Sequence, residues 1–108
     1  MEPRLTAGLR VAALLRRMDL TGRPAYVVRR GDDTAGALAV TVLRPGGKVE
    51  LWVQDYDPLA DSRAWLHETT GAPRDIDATL ARRGARDPDL WVIELELPQD
   101  ADPRDLLD

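Results

Sequence analysis

ALAVTVLRPGGKVELWVQ (residues 37–54) is the stretch whose reading decides the fold. Its first seven residues alternate, with Leu38, Val40 and Val42 on one side of an extended chain. RPGG (44–47) reads as a turn in which Pro45 fixes its own φ and Gly46 or Gly47 accepts a positive one. Residues 48–54 alternate again: Val49, Leu51 and Val53 point one way, and Lys48, Glu50, Trp52 and Gln54 the other. A four-residue loop pairs Leu43 with Lys48, Val42 with Val49 and Val40 with Leu51, so the two apolar sides coincide. The same register sets Trp52 opposite Ala39 and near Thr41, on the face turned away from the core.

Toward the N-terminus, residues 25–30 (AYVVRR) read as a strand, and GDDTAG (31–36) as the turn that joins it to residues 37–43 in a first hairpin. A five-residue loop there puts Tyr26 and Val28 on the core face; a six-residue loop puts Ala25 and Val27 there instead. The first is preferred because it buries the tyrosine ring. Residues 6–20 read as an amphipathic helix with Thr6 as N-cap and an apolar stripe of Val11, Leu14, Leu15 and Met18. Gly22 suits a left-handed C-cap, and Pro24 prevents continuation.

Toward the C-terminus, residues 55–63 read as a turn rich in aspartate, and 64–69 as a short fourth strand. Asp75 is expected to N-cap a helix over 76–86, which Pro88 ends. LWVIELEL (90–97) is the strongest strand, with Trp91, Ile93, Leu95 and Leu97 on one face and Glu94 and Glu96 on the other. The expected architecture is α+β: a single domain over residues 1–97, with an antiparallel-rich sheet of four to five strands and two helices packed on one face. Residues 98–108 are expected to form an acidic, frayed tail.

Composition narrows the chemistry. With 108 residues, 44% apolar and 31% charged, the chain has the balance of one globular domain. It has no cysteine, one histidine and one serine, which removes thiolate chemistry, multi-histidine metal sites and most triad chemistry. The net charge is −4, but residues 1–54 carry +4 and residues 55–108 carry −8. Fourteen of the fifteen basic residues are arginine, so arginine abundance alone says little about phosphate recognition. No apolar run approaches the ~20 residues of a membrane span, and no secretory signal is read at the start. The expected location is the cytoplasm.

Three strings stand together in order and spacing: LLRR (14–17), VVRRGDDTAGALAV (27–40) and ARRGARDPDLWVIELE (81–96). Through them, residues 4–97 resemble the bacterial family catalogued as domain of unknown function 1491. The resemblance implies a small, single-domain bacterial protein. It brings no activity and no catalytic residue.

The functional candidates are few. Asp55, Asp57 and Asp61 are clustered oxygens of the kind hard cations want, but they lack the glycine and closing glutamate of a calcium loop, and turn chemistry accounts for them. His67 has no identifiable partner for general-base work. GDDTAG is followed by Ala37 and Leu38, not by the Lys-Ser/Thr pair that closes a phosphate-binding loop. Trp52, facing outward among Ala39 and Thr41, is the candidate interface anchor. The leading expectation is therefore a non-enzymatic protein-interaction module, homodimeric through that face or bound to another protein. The alternative is an RNA- or phosphate-binding accessory protein in which Arg17, Arg30 and Arg83 converge. A third reading, a metal-dependent hydrolase on Asp55, Asp57 and His67, stands behind both. No cofactor and no membrane partner is expected.

Overall fold

The structure, a computed structural model, describes residues 5–107, without the side chains of residues 55–57. The chain begins with helix α1 (Ala7–Leu20). As expected, the Thr6 hydroxyl caps it, accepting from the Leu9 amide at 3.4 Å. It closes with paired reverse bonds, Arg23 N–H to Met18 O and Gly22 N–H to Asp19 O, both 3.0 Å. Gly22 takes the left-handed φ of 71° that this ending needs.

Five strands follow: β1 (Ala25–Arg29), β2 (Leu38–Leu43), β3 (Val49–Asp57), β4 (Ser62–Gly71) and, after helix α2 (Pro73–Arg86), β5 (Trp91–Glu96). They form one sheet in the order β1-β5-β2-β3-β4. Every pairing is antiparallel except β2 with β5. The α+β class and the mostly antiparallel sheet agree with the sequence reading.

Four details differ, and three have one cause. The β2–β3 register is Leu43 with Val49, Val42 with Glu50, Val40 with Trp52 and Ala39 with Val53, one residue from the expected pairing. The turn is one residue longer: Arg44 N–H bonds Lys48 O at 2.9 Å, and both Gly46 and Gly47 take positive φ (94° and 89°). A slip of one residue exchanges the faces of a whole strand. Val49, Leu51 and Val53 therefore leave the Val40 side, and Trp52 joins it. The sheet acquires two apolar faces, so the helices are not on one face but on opposite ones. Val11, Leu14 and Met18 of α1 pack with Val40, Val42, Ile93 and Leu95. Ile76 and Leu80 of α2 pack with Ala39, Leu51 and Val92.

The fourth difference is topological. GDDTAG is not a hairpin turn, because β5 inserts between β1 and β2. Trp91, Val92, Ile93 and Leu95 are all buried, and a strand apolar on both faces belongs inside a sheet. β4 and β5 run the same way, so the connection between them must cross the sheet, and α2 is that crossing. Residues 31–36 instead lie across the entry to β5. Asp32 N–H bonds Asp89 O at 3.0 Å, and the Trp91 indole donates to Asp32 O at 2.7 Å. The Thr34 and Asp33 carbonyls accept from Ala7 and Gly8, satisfying the first turn of α1.

Smaller boundaries also move. β3 and β4 continue pairing into the expected aspartate turn (55–63), to Asp57 with Ser62. Helix α2 starts at Pro73 rather than after Asp75, because proline's missing N–H is free of cost in a first turn and its φ is already helical. Residues 98–107 are docked, not frayed. Arg44 donates to the carbonyls of Pro98 and Ala101 at 2.7 and 2.8 Å, a 3-10 turn forms at Pro103–Asp105, and Pro103 and Leu107 are buried.

Candidate functional site

Trp52 is 6% exposed. The register that puts it beside Val40 also puts it under the C-terminal segment, with the Arg104 guanidinium 5.8 Å over its ring and His67 stacked on it at 5.0 Å. Its indole N–H donates to Glu50 at 2.9 Å. Trp52 is thus a core side chain rather than an outward anchor, and Ala39 and Thr41 are buried on the opposite face of the sheet. The three residues expected to share a surface do not share one.

The Trp52 indole belongs to a polar centre. Glu50 accepts from Arg44 through both oxygens, at 2.9 and 3.1 Å. Burial alone pushes the Glu50 carboxyl up, but the hydrogen bonds from Arg44 and Trp52 and the Arg44 charge outweigh it and hold the carboxyl below its ordinary value. Arg44 also donates to the Pro98 and Ala101 carbonyls, so the centre ties β2 and β3 to the C-terminal segment.

The arginines of the alternative reading are also separated. Arg17 on α1 donates to Leu106 O at 2.8 Å. Arg83 on α2 pairs with Glu68, across the sheet from Arg17. Arg30 pairs with exposed Asp33 at 3.0 Å and lies 5.5 Å over the Trp91 ring. With α1 and α2 on opposite faces, Arg17 and Arg83 do not converge on one side of the sheet. For the metal reading, the side chains of Asp55 and Asp57 lie outside the described residues. His67 donates to or accepts from Thr70 Oγ1 at 2.6 Å and lies near Thr69 O at 3.1 Å. Among the described residues, no three carboxylate or histidine groups are gathered for a metal ion.

What the sequence reading missed is β1. Inserting β5 beside it makes β1 an outer strand. Its pairing with β5 runs Ala25 to Leu95, Tyr26 to Glu94, Val27 to Ile93 and, past an irregularity at Val28, Arg29 to Val92. Ala25 and Val27 therefore share the α1 side, while Tyr26 and Arg29 share the α2 side. Tyr26, Val27 and Val28 are 55%, 42% and 61% exposed. The Arg29 guanidinium turns inward and donates to the carbonyls of Gly84 and Pro88 at 3.4 and 3.2 Å. The other outer strand, β4, exposes Leu66, but Arg63, His67 and Glu68 stand around it. The signal available in the sequence was Val92: with Trp91 and Ile93 it makes the last strand apolar on both sides, a central position that displaces β1 to the edge.

A family described as protein of unknown function, DUF1491, matches residues 5–105. The chain belongs to the DUF1491 family. Solved structures agree with this DUF1491 chain in fold. A crystal structure of a DUF1491 family protein from Caulobacter crescentus is 37% identical with a TM-score of 0.81, over 96% of this chain and 95% of that one. The solution structure of protein Atu0922 from A. tumefaciens is 31% identical with a TM-score of 0.80, over 97% and 93%. An NMR structure of a DUF1491 family protein from Caulobacter crescentus is 33% identical with a TM-score of 0.79, over 98% and 94%. No curated protein matches the DUF1491 chain. No described helix is long and apolar enough to cross a membrane.

Proposed function

We propose that this DUF1491 chain is a small, non-enzymatic interaction module of the bacterial cytoplasm, and that it self-associates by pairing β1 with β1 of a second copy. One observation supports this reading: Tyr26, Val27 and Val28 are exposed in succession on the outer strand of the sheet. Outer strands of monomers are usually blunted by charge, proline, a bulge or a covering element; here the irregularity at Val28 falls near the end of the strand and leaves Ala25 to Val27 regular. Residues 25–28 carry neither charge nor proline.

The occupant is a second copy because the strand is compatible with itself. Antiparallel pairing about Tyr26, on the regular stretch before the irregularity at Val28, sets Ala25 against Val27 and the two tyrosines against each other. Aromatic and β-branched residues are favoured cross-strand pairs, and no like charges stand opposite. Arg29 is already drawn under α2 by two carbonyls, which leaves the strand neutral where the copies meet.

Sedimentation equilibrium over a wide concentration range tests the proposal. The unmodified chain is expected to dimerise. Val27→Lys, which places a charge on the strand without filling the core, is expected to be monomeric with an unchanged circular dichroism spectrum. A monomeric unmodified chain at every concentration, or a dimer that Val27→Lys leaves intact, overturns it.

A further inference from the structure

Helix α2 changes character along its length. Its sheet-facing row begins with Ile76 and Leu80, which pack on Ala39, Leu51 and Val92. Beside and beyond them Thr79, Arg83 and, at the C-cap, Asp87, all half-buried, stand over a floor that is still apolar. A polar row and a floor of small and medium apolar side chains cannot close dry on each other. A cleft of about 400 Å³ remains, floored by Ala39, Val53 and Leu90 and rimmed by Arg82, Arg83 and Arg86.

The charges on that rim are not balanced. Arg83 is paired with Glu68. The Asp87 carboxylate, also at the cleft, accepts from the Asp89 amide at 3.1 Å. Among the described residues the Arg82 guanidinium reaches only the Thr79 hydroxyl, at 3.3 Å. The Arg86 side chain has no hydrogen bond or ion pair among the described residues. Arginines in a last helical turn commonly serve the carbonyl end of the helix. Here Arg29 arrives from β1 and takes that role at Gly84 O and Pro88 O. Arg82 and Arg86 are left as neighbours one turn apart, above an apolar floor.

We propose that this cleft binds a small amphipathic anion, a carboxylate on an aromatic or aliphatic body. The body lies on Ala39, Val53 and Leu90, and the carboxylate takes the guanidinium forks of Arg82 and Arg86. The volume is that of a small-molecule site. Charge limits the ligand to a single small anion: Asp75 and Asp77 occupy the start of the same helix, and Asp87 and Asp89 follow its end, so a polyanion lying along α2 would meet carboxylates at both ends. The site shares no residue with the β1 edge and does not depend on self-association.

Titration of the full chain with 2-naphthoate, followed by amide chemical shifts, tests the site; 2-naphthylmethylammonium, the same ring with a cation, is the control. Naphthoate is expected to shift the amides of Ala39, Val53, Leu90 and the last two turns of α2 in a saturating way. The double change Arg82→Glu with Arg86→Glu, at two exposed positions, is expected to weaken binding about tenfold or more with the rest of the spectrum unchanged. Absence of shifts at those amides, equal binding by the ammonium probe, or an affinity unmoved by the double change overturns the proposal.

Discussion

Gly36 and Gly84 are both hemmed in, but by atoms of different stiffness. A Cβ at Gly36 would stand 2.3 Å from Asp89 O and 2.9 Å from Asp32 O, both backbone atoms fixed where residues 31–36 cross the entry to β5. A Cβ at Gly84 would stand 1.7 Å from Arg29 Nη1, the free end of a long side chain. The first neighbour cannot yield without moving the sheet; the second can swing away. Gly36→Ala is therefore expected to destabilise the fold by about 2–3 kcal/mol. Gly84→Ala gains about 1 kcal/mol of helix propensity and loses the two long hydrogen bonds of Arg29, so its net change stays within about 1 kcal/mol. Urea denaturation of the two variants measures both; equal losses would show that the crossing of residues 31–36 over β5 is not rigid. Neither constraint is visible in the sequence, where both glycines look like ordinary turn or helix-end residues. Each is set by a residue more than fifty positions away.

At the scale of elements, the β2–β3 hairpin carries both the legible and the illegible part of this fold. The alternation of Leu38, Val40, Val42 and of Val49, Leu51, Val53 identifies both strands. Their mutual register depends on whether Lys48 belongs to the turn or to β3, and that is decided by two successive positive-φ glycines, which the sequence permits but does not demand. The α1 boundaries were legible because Thr6, Gly22 and Pro24 act within a few residues of themselves. The register also builds the Glu50 centre, since it turns Glu50 and Trp52 together toward the C-terminal segment. A carboxyl held below its ordinary value of 4.5 binds fewer protons in the folded than in the unfolded chain. Its contribution is complete above that value and is lost as pH falls through the lower, folded one. Glu50→Gln is thus expected to cost about 1–3 kcal/mol at neutral pH, since it leaves the Arg44 guanidinium, itself 10% exposed, without its charge partner. The difference from the unmodified chain should shrink as pH drops below 4.5. Paired urea titrations across that range check it. A difference that stays constant with pH would mean that Glu50 contributes through shape rather than charge.

At the scale of the whole molecule, the two faces of the sheet are unequally held. Helix α1 buries Ala7, Val11, Leu14 and Met18 against a face that also receives Trp52, Trp91, Leu97 and Leu107, and the C-terminal segment clamps its far side through Arg17 and Arg44. Helix α2 commits only Ile76, Leu80 and Gly84, and its second half stands over the cleft. This asymmetry was out of reach of the sequence, because it follows from β5 entering between β1 and β2. Neighbouring strands in sequence usually pair, and only the apolar character of Val92 spoke against it. Local stability tracks the apolar contacts that an opening must break. The amides in the interior of α2 are therefore expected to exchange with solvent through a partial opening of lower free energy than those of α1, which should exchange only with global unfolding. Native-state hydrogen exchange at increasing low denaturant distinguishes the two: α2 amides should show a small denaturant dependence and α1 amides the full one. If both helices merge into one isotherm, the two faces unfold as a unit. The cleft under α2 would then be a fixed feature of the core rather than a gap beneath a loosely held helix. A ligand bridging Arg82 and Arg86 to the floor should raise the opening free energy of α2 selectively, by the amount that its concentration and affinity set. The same exchange experiment, repeated with naphthoate present, therefore reports whether occupancy of the cleft is coupled to the weaker half of the fold.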